Sequence, residues 1–90
     1  MYAKTVVVRN ETGLHARPAS QFVRCAKGFN SKILLQRTGI GEEEVEAKSI
    51  LKLLSAAISQ GDEIVISAQG EDEVKAVETL AALIESRFGE

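Results

Sequence analysis

The run Lys32-Ile33-Leu34-Leu35-Gln36-Arg37-Thr38-Gly39-Ile40-Gly41-Glu42-Glu43-Glu44-Val45-Glu46-Ala47 decides the fold. Its first six residues read as a short apolar strand. The two glycines within residues 38–41 suit a hairpin connection. Residues 43–47 then read as the returning strand, with Val45 facing inward. A hairpin makes its strands antiparallel, whereas strict alternation of strand and helix would build a parallel sheet. Upstream, residues 2–9 are rich in β-branched side chains (Thr5, Val6, Val7, Val8) and read as a strand. Residues 10–14 read as a loop. Ala16–Lys27 has Ala19, Phe22, Val23 and Ala26 at helical spacing, with Gly28 as the stop. Downstream, Ser49 stands before Ile50, Leu53, Leu54 and Ala57, the pattern of an amphipathic helix with Ser49 near its N-cap, broken by Gly61-Asp62. Residues 63–68 alternate Ile64, Ile66 and Ala68 with Glu63, Val65 and Ser67, so they form a strand. Gly70-Glu71-Asp72-Glu73 opens a last helix with acidic residues that complement its dipole. That helix presents Val74, Val77, Ala81, Ile84 and Phe88 on one face. The order β-α-β-β-α-β-α predicts an α+β open-faced sandwich. Its mostly antiparallel sheet carries helices on one face and meets water on the other.

Composition narrows the function. Ninety residues suit a single domain, 1–90, too short for a second catalytic one. The chain is 44% hydrophobic and 27% charged, a globular rather than a disordered balance. A net charge of −2 excludes a strongly basic, non-specific nucleic-acid binder. Cys25 is the lone cysteine, so no internal disulfide forms, and the expected compartment is the reducing cytoplasm. Cys25 itself reads as a small buried helix residue without a redox role. Residues 1–9 hold no apolar run long enough for a signal peptide, and residues 50–58, interrupted by Lys52 and Ser55, fall far short of a membrane span. One histidine and one cysteine do not supply the usual three or four metal ligands. No Walker loop, Gly-x-Gly-x-x-Gly or Gly-x-Ser-x-Gly turn is present, although a Ser-His-Asp triad built without that turn stays open at this point.

The chemistry concentrates in Thr12-Gly13-Leu14-His15-Ala16-Arg17-Pro18-Ala19. His15 ends a loop, and Pro18 sits in the first helical turn, where a missing N–H is tolerated. The free amides around Ala16 and Arg17, with the helix dipole, make a ready anion site. Arg17 adds a guanidinium that can fork onto phosphate oxygens. A neutral imidazole in that position can attack phosphorus and become a phosphohistidine, and the same amides and Arg17 would hold the product. A bland alternative is a surface histidine at a helix start, which is common for structural reasons.

Gly13-Leu14-His15-Ala16-Arg17-Pro18-Ala19 resembles the active-site signature of the HPr family, the histidine-containing phosphocarriers of the phosphoenolpyruvate-dependent phosphotransferase system. The resemblance runs the full length of the chain and includes Ala47-Lys48-Ser49-Ile50 and Gly70-Glu71-Asp72-Glu73. It implies a four-stranded antiparallel sheet covered on one face by three helices. It also implies a phosphoryl group that arrives from phosphorylated enzyme I, itself charged by phosphoenolpyruvate, and leaves for a histidine of an enzyme IIA component. On this sequence it implies phosphorylation of His15 at Nδ1, with Arg17 assisting transfer and the backbone amides of Ala16 and Arg17 binding phosphate. Such a carrier has no independent turnover and needs no cofactor, metal or nucleotide. It meets a membrane permease only through enzyme II. A carrier that must present His15 to several partners is expected to be a monomer.

The resemblance also matches Ser49 to a regulatory serine that HPr kinase/phosphorylase modifies in some bacteria. A helix-capping role is the structural alternative. Ile50, Leu51 and Leu54 correspond to a docking patch, and Arg17, Arg24 and Lys27, on or near the first helix, are placed to rim it. The alternatives are a broad core face and a solvated basic face. Lys52 stands where sugar-branch members usually carry a small residue, and residues 37–44 form a long acidic loop. Both features leave open a nitrogen-branch regulatory carrier with the same chemistry. A small RNA-binding α+β domain shares the element count, but it would display stacking aromatics on the sheet, and only Tyr2 and Phe29 lie near strands. A pure interaction protein without phosphoryl chemistry would have no need of His15 beside Arg17.

Overall fold

Alternation gives residues 63–69 one face of Ile64, Ile66 and Ala68 to bury and an opposite face that meets solvent. In the computed structural model, which describes residues 1–39 and 43–89, the order is β1 (Tyr2–Val7), α1 (Ala16–Lys27), β2 (Lys32–Arg37), β3 (Val45–Glu46), α2 (Ile50–Ser55), β4 (Glu63–Gln69) and α3 (Glu73–Glu85), closed by a single 3-10 turn, Arg87–Gly89. The sheet runs β1-β4-β2-β3, and every pair is antiparallel. β4 pairs β1 from Tyr2↔Ala68 to Val7↔Glu63 and pairs β2 from Lys32↔Gln69 to Arg37↔Ile64. This register puts Val6, Ile64, Ile66, Ala68, Ile33 and Leu35 on one buried face. α3 packs across β1, β4 and β2, α1 lies against α2 and α3, and α2 against β3. Phe22, Leu53, Ile58, Leu80 and Ile84 fill the space between the layers. The opposite face carries Ala3 and Thr5 in the open and Leu34, Val65 and Ser67 half-exposed, so it meets solvent.

The structure differs from the sequence reading in several places. β1 stops at Val7 because its partner β4 begins at Glu63; Val8 leaves the ladder but bonds to the turn that feeds β4 (Val8 N to Asp62 O 2.9 Å, Gly61 N to Val8 O 2.8 Å). β3 keeps only Val45 and Glu46 of the five residues expected, since the exposed Glu43 and Glu44 offer no apolar alternation to bury. Val45 does pack partly against the core. Past Gly39, the expected hairpin connection of residues 38–41 lies outside the described residues. On α3 the buried stripe is Ala76, Val77, Leu80, Ala81 and Ile84, while Val74 sits on the flank and is 52% exposed. Phe88 is buried, but from the 3-10 turn, where its φ of +56° folds it back against the end of α3. Cys25 is half-buried rather than enclosed, and burial pushes its thiol up.

The β4–α3 turn is clamped to the start of β2. The Asp72 carboxylate accepts from Asn30 N (2.9 Å), from Ser31 N (3.0 Å) and from the Ser31 hydroxyl. The Ser31 hydroxyl first, then the Asn30 amide, hold this carboxyl below its ordinary value. A carboxyl lowered by folding stabilises the native state above its unfolded value, and that stabilisation disappears as pH falls through the lowered folded value. The gap in urea midpoint between the native chain and Asp72→Asn should therefore hold constant from neutrality to about pH 4 and shrink below it. A gap unchanged in more acidic urea titrations would show that the charge contributes nothing.

Candidate functional site

The site is built on the loop between β1 and α1. Asn10, buried at 2% exposure, donates from Nδ2 to Gly13 O at 2.8 Å and to Thr12 Oγ1 at 3.2 Å. Gly13 N returns a bond to Asn10 O at 3.1 Å, closing the turn. Gly13 has a φ of +64° and lies so close to the chain after α2 that a Cβ would stand 2.5 Å from Ile58 O and 2.7 Å from Ser59 Cα. Leu14 is fully buried, and its N–H donates to Ile58 O at 3.0 Å. The chain thus enters His15 anchored on both sides.

His15 is the N-cap of α1, with extended backbone (φ −131°, ψ 162°) and a half-buried side chain that makes no capping bond. Ala16 follows with a φ of +52°, a left-handed conformation costing an L-residue about 1–2 kcal/mol. The first main-chain bond of the helix is Ala19 N to His15 O at 3.5 Å, and Pro18 has no N–H to give. The amides of Ala16 and Arg17 consequently have no partner among the described residues. Arg17 is exposed and, among those residues, makes no ion pair or hydrogen bond. His15, two amides without a partner and an unpaired Arg17 therefore follow one another at a helix N-terminus, an arrangement that can bind an anion next to an imidazole.

Ser49 lies apart from this cluster, as the N-cap of α2. Its hydroxyl accepts from Lys52 N at 3.3 Å, and its carbonyl accepts from Leu53 N at 3.0 Å. Ser49→Ala should lower stability by about 0.5–2 kcal/mol in urea unfolding, with no change in far-ultraviolet dichroism beyond that of a frayed helix end. Lys48 anchors the approach to α2 by donating to Phe29 O at 2.7 Å, and Lys52 pairs with Glu46 at 3.5 Å in the open. The apolar residues of this helix divide sharply. Leu53 and Ile58 are core, whereas Ile50, Leu51 and Leu54 are exposed, Leu51 to 75%. The broad core face weighed from sequence is thereby excluded for these three. Arg24 and Lys27 are exposed on the adjacent α1, unpaired among the described residues.

Two residues escaped the sequence reading. Asn10 looked like ordinary loop punctuation; the available signal was an Asn followed by Thr at +2 and Gly at +3, a spacing that suits a side-chain-closed turn. Arg37, read as the end of a strand, caps the C-terminus of α2 by donating to Ala56 O (2.6 Å) and Ala57 O (3.4 Å), and it pairs with Asp62 at 3.0 Å. Among the described residues no group of three His, Cys, Asp or Glu is placed to hold a metal, and no helix is long and apolar enough to cross a membrane.

A family model described as "PTS HPr component phosphorylation site" matches residues 2–86. The phosphocarrier protein HPr of Haemophilus influenzae is 49% identical over 84 residues, covering 93% of this chain and 95% of that protein. The HPr-like protein Crh of Bacillus subtilis is 47% identical over 85 residues, covering 94% and 96%. A crystal structure of HPr from Thermoanaerobacter tengcongensis aligns with a TM-score of 0.92 at 44% identity, over 100% of this chain and 98% of that one.

Proposed function

This chain belongs to the HPr family of phosphotransferase-system phosphocarriers, and from that premise we propose that His15 receives a phosphoryl group from phosphorylated enzyme I and passes it to a histidine of an enzyme IIA component during sugar uptake. The Nδ1 lone pair forms the new N–P bond as the bond from phosphorus to the donor group of enzyme I breaks. One proton leaves the accepting ring, and one joins the departing donor group. The phosphoryl oxygens are met by the amides of Ala16 and Arg17 and by the Arg17 guanidinium. The return step reverses this at the same atom, so the chain turns nothing over alone. Exposed Ile50, Leu51 and Leu54, rimmed by Arg24 and Lys27, form the surface on which partners dock. Phosphate on Ser49, placed by HPr kinase/phosphorylase, would add charge beside that surface and weaken the docking of acidic partners. The chain works as a monomer in the cytoplasm.

The observation that carries this reading is the succession of His15, two unpartnered amides and an unpaired Arg17 in the first turn of one helix. Its test is the intact mass of the protein after incubation with phosphoenolpyruvate and sugar-branch enzyme I. One acid-labile phosphoryl group per chain is the expected result. No modification, with enzyme I competent on another carrier, removes the sugar-branch assignment, and the assay is then repeated with nitrogen-branch enzyme I.

A further inference from the structure

We infer that Asn10 is a positioning residue for phosphoryl transfer, an inference that rests on the reading of His15 given above. Asn10 and Ser31 are the two buried polar residues among those described. Ser31 is accounted for by the Asp72 clamp, whereas Asn10 is satisfied at Nδ2 but not at Oδ1. Its Oδ1 is buried without a hydrogen-bond partner among the described residues, an arrangement that works against the folded state. An apolar residue there would avoid that unsatisfied acceptor but would leave Gly13 O without the Nδ2 donor.

The use of Asn10 lies in what its Nδ2 holds. The peptide plane between Gly13 and Leu14 is gripped at both ends: its carbonyl oxygen by Asn10 Nδ2 at 2.8 Å, its N–H by Ile58 O at 3.0 Å. This plane lies one residue before His15. On its near side Gly13 is left-handed and pressed against Ile58 and Ser59, and beyond His15 stands the left-handed Ala16. A plane held only at its N–H is free to tilt about that bond. Tilting re-aims the His15 imidazole relative to the amides of Ala16 and Arg17. A left-handed alanine persists only when its surroundings hold it, and the Asn10 side-chain bond joins Gly13 N to Asn10 O (3.1 Å) and Leu14 N to Ile58 O in fixing the chain that leads into it. The second Nδ2 hydrogen, on Thr12 Oγ1 at 3.2 Å, keeps the amide from rotating away from Gly13.

Misplacing a reacting group by a fraction of an ångström to one ångström lowers rate rather than binding, by up to about a hundredfold. Asn10→Ala should therefore reduce the kcat of enzyme I with this carrier as acceptor by about 10- to 100-fold, with KM unchanged because the docking side chains are untouched. Ile84→Val, a core change on α3, serves as the stability control. Both variants are assayed at a temperature where circular dichroism shows them folded. An unchanged kcat for Asn10→Ala, or an equal loss in Ile84→Val, overturns the inference. Failure of the native chain to accept any phosphoryl group instead removes the underlying reading of His15. If Asn10→Ala does not fold, Asn10→Ser, whose shorter side chain cannot span to Gly13 O in the same way, is read against the same control.

Discussion

His15→Ala should fold as the native chain does and accept no phosphoryl group at all. His15 is the only histidine of the 90 residues, so no second imidazole can take over. Its side chain makes no capping bond, and its extended backbone suits alanine equally well, so stability should change by less than about 1 kcal/mol. The amides of Ala16 and Arg17 and the Arg17 guanidinium survive in the variant. On the proposed reading they would still bind an anion, but they have nothing with which to make a covalent bond. Intact mass after exposure to phosphoenolpyruvate and enzyme I should show the bare chain, while urea unfolding stays close to native. An acid-labile phosphoryl group on this variant would place the acceptor elsewhere. A large loss of stability would mean that the ring carries packing its half-buried setting does not suggest.

Gly13→Ala should show the opposite pattern, with fold and function failing together. The left-handed φ of +64° costs alanine about 1–2 kcal/mol. The new Cβ would also meet backbone at 2.5 Å and 2.7 Å, and backbone at Ile58 and Ser59 does not step aside as a flexible side chain would. Overpacking of this kind adds about 1–3 kcal/mol. The sum, about 2–5 kcal/mol, is a large part of the 5–15 kcal/mol that typically stabilises a domain. Gly61→Ala separates the two contributions. Gly61 has a φ of +92° but open space around it, so alanine there meets only the conformational penalty. The urea midpoint of Gly13→Ala should fall well below that of Gly61→Ala. Its phosphoryl acceptance should fall too, because relieving the clash pulls Leu14 N from Ile58 O and moves His15. Equal midpoints in the two variants would mean that the close approach at Ile58 relaxes at no cost.

What the sequence made legible was whatever depends on local pattern. Ala19, Phe22, Val23 and Ala26 foretold the buried face of α1, and Ile64, Ile66 and Ala68 that of β4, because a helix period of 3.6 and a strand period of 2 are written directly in apolar spacing. The expected antiparallel sheet under helices is the sheet observed, and the family resemblance carried by residues 13–19 holds over residues 2–86. What stayed hidden depends on partners distant in the chain. The length of β3 shows only in its pairing, which joins Val45 and Glu46 alone to Leu35 and Leu34 of β2. Val74 looked inward on spacing alone, yet the sheet beneath α3 favours the stripe through Ala76 and Leu80. Arg37 reaches carbonyls about twenty positions downstream, and the pressure on Gly13 comes from Ile58 and Ser59. The residue types at the site were legible; the hydrogen bonds that aim them were not.

The strand order β1-β4-β2-β3 has a consequence for how the molecule comes into being. β1 is paired to nothing but β4, and β2 is joined to β1 only through it. A growing chain that has not yet reached Glu63 can make only the two-residue contact between β2 and β3. Both long ladders must wait for β4, which closes loops spanning much of the chain, a topology that slows folding relative to one built from neighbouring segments. The anchor of the His15 loop, Ile58, lies just ahead of that same strand. The anchor of the His15 loop and the strand that completes both long ladders therefore emerge within a few residues of each other. Any slow step in inserting β4 delays completion of the whole sheet.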